Sequence, residues 1–221
     1  FHDEYFTVSL KNNLVYTLVT VPGTIVFALL LAVGVNKGIK GSSLFKTMFF
    51  LPNISSMVAV GIVWAMIFNP TQGPLNQVLM ALGVANPPQW LSATKTALGS
   101  VMVVAIWKQA GYYMIIILAG LQSIPSQLYE AASIDGANSV EKFFKITLPM
   151  LSPTMFMVTI LSIINSFQVF DLVNIMTQGG PGRSTNVLVY RIYQEGFQKL
   201  QFGYASAMAY FLFIIIMVIR S

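Results

Sequence analysis

The chain has 221 residues, of which 56% are hydrophobic and only 9% charged, with a formal net charge of +5. Soluble domains carry roughly 25% charged residues, so this chain cannot cover itself with solvated charge, and its apolar content equally excludes disorder. It has no cysteine, which removes disulfides, thiolate zinc sites and thiol catalysis, and its one histidine, His2, stands at the N-terminal edge.

Five stretches are long and apolar enough to cross a bilayer, which takes about 20 residues each. The first covers residues 14–35 and is uncharged, with Pro22-Gly23 able to bend it. The second covers 47–68, again uncharged, and the third covers 96–122 with Lys108 inside it. The fourth covers 150–176 with Asp171 near its end, and the fifth covers 204–219, followed by Arg220. The fold class expected is an all-α membrane protein, a polytopic helical bundle of five spans forming one transmembrane domain over residues 1–221.

The segments between spans alternate in charge. Residues 36–46 hold Lys37, Lys40 and Lys46, a density that places them on the cytoplasmic side. Residues 69–95 hold only Lys95 and fall outside; 123–149, with Lys142 and Lys145, return inside; 177–203 are again outside. Arg183, Arg191 and Lys199 in that last segment run against the bias. The basic residues are spread thinly between apolar runs, so the positive excess reads as topology, and no nucleic acid is expected as a partner. An external start with five spans, and Phe as first residue, leads to the expectation that a further N-terminal helix precedes this sequence.

Two outer segments read as helices too short or too polar to span. Residues 73–83 place Leu75, Val78, Leu79 and Leu82 on one face, with Pro74 in the first turn and Gly83 as C-terminal cap. Residues 186–202 place Leu188, Ile192 and Tyr193 similarly, and both are expected to rest on the bundle at the interface. Trp90, in the proline-rich loop between the second and third spans, reads as an interface anchor.

The richest stretch is 123–154, SIPSQLYEAASIDGANSVEKFFKITLPMLSPT. Ser126 is placed to cap a helix starting after Pro125, and Gly136 supplies the left-handed residue that ends it. Asn138 or Ser139 caps a second short helix, Pro149 follows that helix, and Pro153 sits in the first turn of the next span. Two short helices therefore meet at a tight Asp135-Gly136-Ala137 corner. Ala131, Ala132, Gly136 and Ala137 leave little side-chain bulk there, and Glu130 adds one charge able to meet a basic partner. This is the shape of a knob that enters a cleft on another subunit; the plainer alternative is an ordinary helical hairpin.

Polar groups inside spans form two clusters at helical spacing, Lys108, Gln109 and Tyr112 in the third and Ser162, Asn165 and Ser166 in the fourth. At ~1.5 Å rise per residue, Gln109 and Asn165 each lie roughly 15–20 Å from the outer end of their helix, so the clusters share a depth near the middle. They are candidates for a substrate pathway, or for inter-helix bonding without a ligand. Lys108 faces a wet cavity, bonds helix carbonyls or attracts an anionic group. No glycine is followed by lysine anywhere, so a phosphate-cradling GxxxxGK loop is absent.

EAASIDGA followed by FFKITLPMLSP closely resembles the EAA loop of binding-protein-dependent ABC importer permeases. FNPTQGPLNQVLMALG at 68–83, IWKQAGYYMIIILAGLQSIP at 106–125, FQVFDLVNIMTQGGPGRST at 167–185 and FGYASAMAYFL at 202–212 add to the likeness. Together they are similar to the carbohydrate-importing branch, of maltose and glycerol-phosphate type. The resemblance implies that residues 123–149 form a cytoplasmic coupling loop whose Glu130, Ala131, Ala132, Asp135, Gly136 and Ala137 dock into an ATP-binding subunit. It implies that Tyr112, Ser162, Asn165 and Ser166 match positions lining the sugar site. It also implies the partners: a second permease subunit that is a different chain, two ATP-binding subunits that carry ATP and Mg, an extracellular solute-binding protein, a sugar substrate and the lipid bilayer. The chain itself would hold no metal or cofactor and would not be an enzyme. The location implied is a bacterial or archaeal plasma membrane. The family core has six helices, and five are present here. A non-sugar cargo is the nearest alternative. An ion-coupled carrier would need intramembrane carboxylates, of which only Asp171 qualifies, and a membrane hydrolase would need paired acids or a metal cluster that the sequence lacks.

Overall fold

The computed structural model describes residues 3–36 and 41–220. His2, Lys37 and Lys40, named above for edge placement and charge bias, lie outside the described residues. Among those described the structure is helical, and three unbroken helices are long and apolar enough to cross a membrane: α1 (Glu4–Asn36), α5 (Ala97–Gln122) and α12 (Phe202–Arg220). Between the first two lie α2 (Ser42–Ile54), α3 (Met57–Ile67) and α4 (Pro74–Ala81). After α5 come α6 (Ser126–Ile134), α7 (Ser139–Lys142), a π-helical turn over Phe143–Thr147 and α8 (Leu148–Met150). The chain continues as α9 (Ser152–Phe167), α10 (Asp171–Met176), α11 (Leu188–Tyr193) and a second π turn over Gln194–Gln198.

Helix α1 begins ten residues before the span expected at 14–35, because Ser9 and Asn13 in that extension are buried against a distant loop. Pro22 sits inside α1 without ending it. Helices α1 and α5 pack along their lengths in the same direction. Tyr16 meets Val101, Val104 and Ala105 at one end, and Ala28 and Ala32 meet Tyr113, Met114 and Ile117 at the other. Ala28 and Ala32, four residues apart and fully buried, let the two backbones approach.

The spans expected at 47–68 and 150–176 are not single helices. Helices α2 and α3 meet at 98° across Ser55-Ser56, both extended in backbone. Pro52 already lacks a donor within α2, and the side chain of Lys108 takes over the carbonyls that the break leaves free. The fourth span breaks after Phe167, and Phe170 lodges with ring centroids 6.2 Å from Tyr190 and 5.2 Å from Tyr193. At its other end α9 turns by 66° from the segment Ser139–Met150. Five crossings are therefore reached when each bent pair is counted as one.

Helix α4 forms where Pro74 and Gly83 place it, with Pro74 at its start and Gly83 at φ +92°. Its apolar face attaches it only in part: Leu75 packs on the core, but Val78 is 56% and Leu82 76% exposed. Asn76 also holds it, buried, donating to the carbonyls of Pro70 and Pro88 and accepting from Trp90 Nε1 at 2.7 Å. Trp90 also packs on Phe68, with ring centroids 5.5 Å apart. Helix α11 buries Leu188, Tyr190 and Arg191, with Ile192 and Tyr193 only half-buried.

Candidate functional site

Both helix breaks open onto one cavity of about 400 Å³. Asn53 and Met57 reach it from either side of the first break, and Gln168, Phe170 and Asp171 from the second. Tyr16 comes from α1, Gln109, Tyr112 and Tyr113 from α5, and Asn165 from the last turn of α9. Asn165 Nδ2 donates to the Tyr113 hydroxyl at 2.9 Å, and the Tyr112 and Tyr113 rings meet edge to face at 5.3 Å. The site thus combines carboxamides and aromatic faces, the groups that hold a polyhydroxylated molecule.

Of the pathway residues expected from sequence, Gln109, Tyr112 and Asn165 come together on this wall. Lys108, Ser162 and Ser166 do not line it. Lys108 Nζ donates to the carbonyls of Pro52, Asn53 and Ser55 at 2.8, 3.2 and 3.0 Å, and its side chain is buried. Of the three roles open to it, this geometry is the bonding of helix carbonyls. The ammonium stands at the C-terminal, negative end of α2. Ser166 Oγ bonds the Ile163 carbonyl at 2.7 Å and the Thr17 hydroxyl at 2.9 Å, joining α9 to α1, and Ser162 is buried within the bundle. Sequence reasoning missed Tyr16, Asn53, Tyr113 and Gln168. The signal for Asn53 and Gln168 is the polar interruption of two apolar runs, PNISS in one and SFQVFD in the other, while Tyr16 and Tyr113 carry no such signal.

The second candidate region is the hairpin after α5. At ~1.5 Å per residue, Gln109 and Tyr112 lie roughly 15–20 Å from the end of α5 that carries it. Glu130, Ala131, Asp135 and Gly136 are exposed, and Ala132 and Ala137 are half-buried. Pro125 occupies the N-cap position expected for Ser126, which is the first helical residue of α6. Asp135 ends α6, and Gly136 turns the corner at φ +77° with nothing within 4 Å of where a Cβ would stand. The glycine is therefore required by backbone conformation, with room to spare around it. Asn138 caps α7, accepting from the backbone N–H of Val140 and Glu141 at 3.0 and 2.9 Å, while Glu141 accepts from the Asn138 N–H at 2.9 Å. That bond and the ammonium of Lys145 hold the Glu141 carboxyl below the usual carboxylate range. Pro149 lies inside α8 and not after the helix, while Pro153 sits in the first turn of α9 as expected. Lys142 Nζ donates to Ser133 Oγ at 2.7 Å, and Tyr129 and Thr147 share a 2.9 Å hydroxyl bond. Ala132, Ala137, Lys142 and Ile146 help line a groove of about 370 Å³ at this corner, beside Ile134, which is 88% exposed.

At the far end of the bundle the loop 177–187 and α11 are fastened to the start of α1. Arg191 pairs with Glu195 at 2.6 Å and with Asp3 at 3.6 Å, and Lys199 bonds Glu195 at 2.7 Å. Glu195 is only 2% exposed. The Tyr204 hydroxyl donates to Asp3 at 2.6 Å, and Arg183 stacks 3.6 Å above the Tyr5 ring. The Tyr204 bond, helped by the Tyr5 N–H and by Arg191, holds the Asp3 carboxyl below its ordinary value against the opposing effect of burial. Asn12 donates to the carbonyls of Arg183 and Asn186, both at 2.9 Å.

Comparison with known proteins bears on all three regions. Residues 24–221 match the family described as binding-protein-dependent transport system inner membrane component. A probable ABC transporter permease of Bacillus subtilis, YesP, is 40% identical over 97% of this chain and 70% of its own length. The sn-glycerol-3-phosphate transport system permease UgpA of Agrobacterium fabrum is 34% identical over 99% of this chain and 74% of its own. Among solved structures, a chain of a bacterial alginate ABC transporter, in complex with an alginate pentasaccharide-bound periplasmic protein, superposes with a TM-score of 0.90. It is 26% identical over 99% of this chain and 76% of that one.

Proposed function

The chain belongs to the inner membrane components of binding-protein-dependent transport systems, the permease subunits of ABC importers, and from that premise we propose that it carries a carbohydrate across a bacterial or archaeal plasma membrane. The observation that carries this reading is the cavity built where two helices break, lined by carboxamides and tyrosine rings. Transporter sites lie at such discontinuities because unwound backbone is tolerated in a bilayer only where it faces protein or a wet cavity. The glycerol-phosphate relative and the alginate transporter support a sugar-like cargo.

In this reading residues 1–221 act as one permease domain beside a second, different permease chain. Two partner ATPases bind ATP and Mg and perform the hydrolysis. Residues 123–149 face the cytoplasm, and the corner around Glu130, Ala131, Ala132, Asp135, Gly136 and Ala137 enters a cleft on one ATPase. Closure of the ATPases drives the corners of the two permeases together and rocks the helices around the cavity, which opens to each side in turn. The Asp3 end faces outward and receives cargo from a solute-binding protein. The charge bias against this orientation is answered by the fastened loop: Arg183, Arg191 and Lys199 are each engaged with an aromatic ring or a carboxylate.

The test is purification of the tagged chain after co-expression with its neighbouring transport subunits, followed by uptake into proteoliposomes. Two ATPases and a second permease should co-purify, and labelled oligosaccharide should accumulate only with ATP and the binding protein. Uptake by the chain alone on an ion gradient would refute the reading. Asn165→Ala should raise the half-saturating sugar concentration about tenfold while leaving assembly intact, and an unchanged concentration dependence would remove Asn165 from the site.

A further inference from the structure

The cavity wall carries information about the charge of its cargo. Among the described residues that line it are four carboxamides, three tyrosines and a single charged group, Asp171. Asp171 stands in the first turn of α10 and is exposed. None of the ion pairs or hydrogen bonds of the described residues engages its side chain. Lys108, the cation next in sequence to the lining residue Gln109, is turned away into the α2–α3 break, where three carbonyl oxygens and the negative end of the α2 dipole stand against its ammonium. The wall therefore presents one free carboxylate and no free cation.

Sugar hydroxyls donate well to a carboxylate, and such charge-assisted bonds are the stronger kind. A phosphate or uronate group brought to the same wall meets a like charge in a partly desolvated site and finds no cation to offset it. Resting on the carbohydrate reading above, we propose that this chain's side of the cavity selects an uncharged saccharide, with Asp171 as the specificity-determining residue that rejects anionic sugars. The chain would differ in this from the glycerol-phosphate permease and the alginate transporter, whose named cargos are anionic.

The experiment uses the complete permease–ATPase complex without its binding protein, so that only the membrane site discriminates. Glucose-, galactose- and mannose-based disaccharides are titrated by calorimetry, each as the neutral sugar and as the corresponding uronate. At least one neutral form should bind ten times more tightly than its uronate. Asp171→Asn should reduce that ratio to threefold or less, and Asp171→Glu, which keeps the charge, should preserve it and so control for folding. Equal or tighter binding of the uronate, or a ratio unmoved by Asp171→Asn, overturns the inference while leaving the carbohydrate reading standing. Binding of no saccharide in either form overturns the carbohydrate reading and this inference with it.

Discussion

The two ends of the bundle are built on opposite plans. At the hairpin end the fastenings are local: Asn138 with Glu141, Ser133 with Lys142 and Tyr129 with Thr147, none more than 18 residues apart. Its small-residue corner is left open. At the other end, bonds between residues 171 to 201 positions apart, Asn12 to Arg183 and Tyr204 to Asp3 among them, tie the chain ends together around a buried acid, Glu195, that is held by Arg191 and Lys199 one turn away on either side. A surface that another protein must grip needs a shape of its own and no internal partner. A loop that closes a bundle needs its partners inside the chain. In the proposed reading the second end carries stability and the first coupling, and mutations at each should separate the two properties.

The largest effect is expected from Arg191→Met. It leaves Glu195 buried with Lys199 as its one remaining cation. Removing one partner of a buried pair costs about 3–5 kcal/mol, and the surviving Lys199 bond puts this case near about 3. In a chain of this length that is a fall of about 6–12 °C in the midpoint of thermal unfolding in detergent. Arg191→Met with Glu195→Leu should recover most of it, because no buried charge is then stranded. A single variant that melts with the wild type would show that the network contributes nothing to stability.

Glu130→Lys and Gly136→Trp should do the reverse. Glu130 is exposed and Gly136 has open space around it. Glu130→Lys should therefore stay within about 0.5 kcal/mol of wild type, while Gly136→Trp bears about 1–2 kcal/mol for its left-handed backbone. Transport should fall at least tenfold in both, with ATP hydrolysis continuing uncoupled, measured in proteoliposomes containing all subunits. Wild-type import by both variants would remove the corner from the coupling path, and a melting loss in Glu130→Lys equal to that of Arg191→Met would erase the distinction between the ends.

This contrast also decides what the sequence makes legible. The hairpin could be read because its signals are a few residues apart: a glycine where φ must be positive, an Asn–Glu capping pair and a run of alanines. Even there, the N-cap fell to Pro125 in place of Ser126. Gln109, Tyr112 and Asn165 could be found by depth along their helices. Lys108 was conspicuous as an intramembrane charge, but its task was hidden, because the carbonyls it serves exist only once 47–68 breaks. Proline and serine inside apolar helices are weak signals of a break, since neighbouring helices often absorb them. The far-end network is local only in part, in the i,i+4 spacing of Arg191, Glu195 and Lys199. Asp3 is brought to Arg191 by the whole path of the chain, and in sequence the three basic residues of that loop read only as an anomaly of charge bias.

The smallest expected effect sharpens the comparison most finely, because each end holds one carboxyl below its usual range. Asp3 is held there first by the Tyr204 hydroxyl, and Glu141 by the Asn138 N–H. A carboxyl whose folded pKa lies below its unfolded value contributes stability that is present above the unfolded value, about 4, and is lost as pH falls through the folded value. Asp3 joins parts of the chain far apart in sequence, so its contribution belongs to the global transition. It is discounted to about 0.5–1 kcal/mol because its side chain is 29% exposed. Asp3→Asn should therefore lower the melting midpoint by about 1–4 °C at pH 7, and the gap from wild type should close below about pH 4. Glu141 fastens only the first turn of α7, with its side chain 41% exposed. Glu141→Gln should leave the global midpoint unmoved at both pH values and speed amide exchange at Val140 and Glu141, the turn that Asn138 caps. A pH-dependent global shift in Glu141→Gln, or none in Asp3→Asn, would mean that the hairpin end and not the far end carries the cooperative part of the fold.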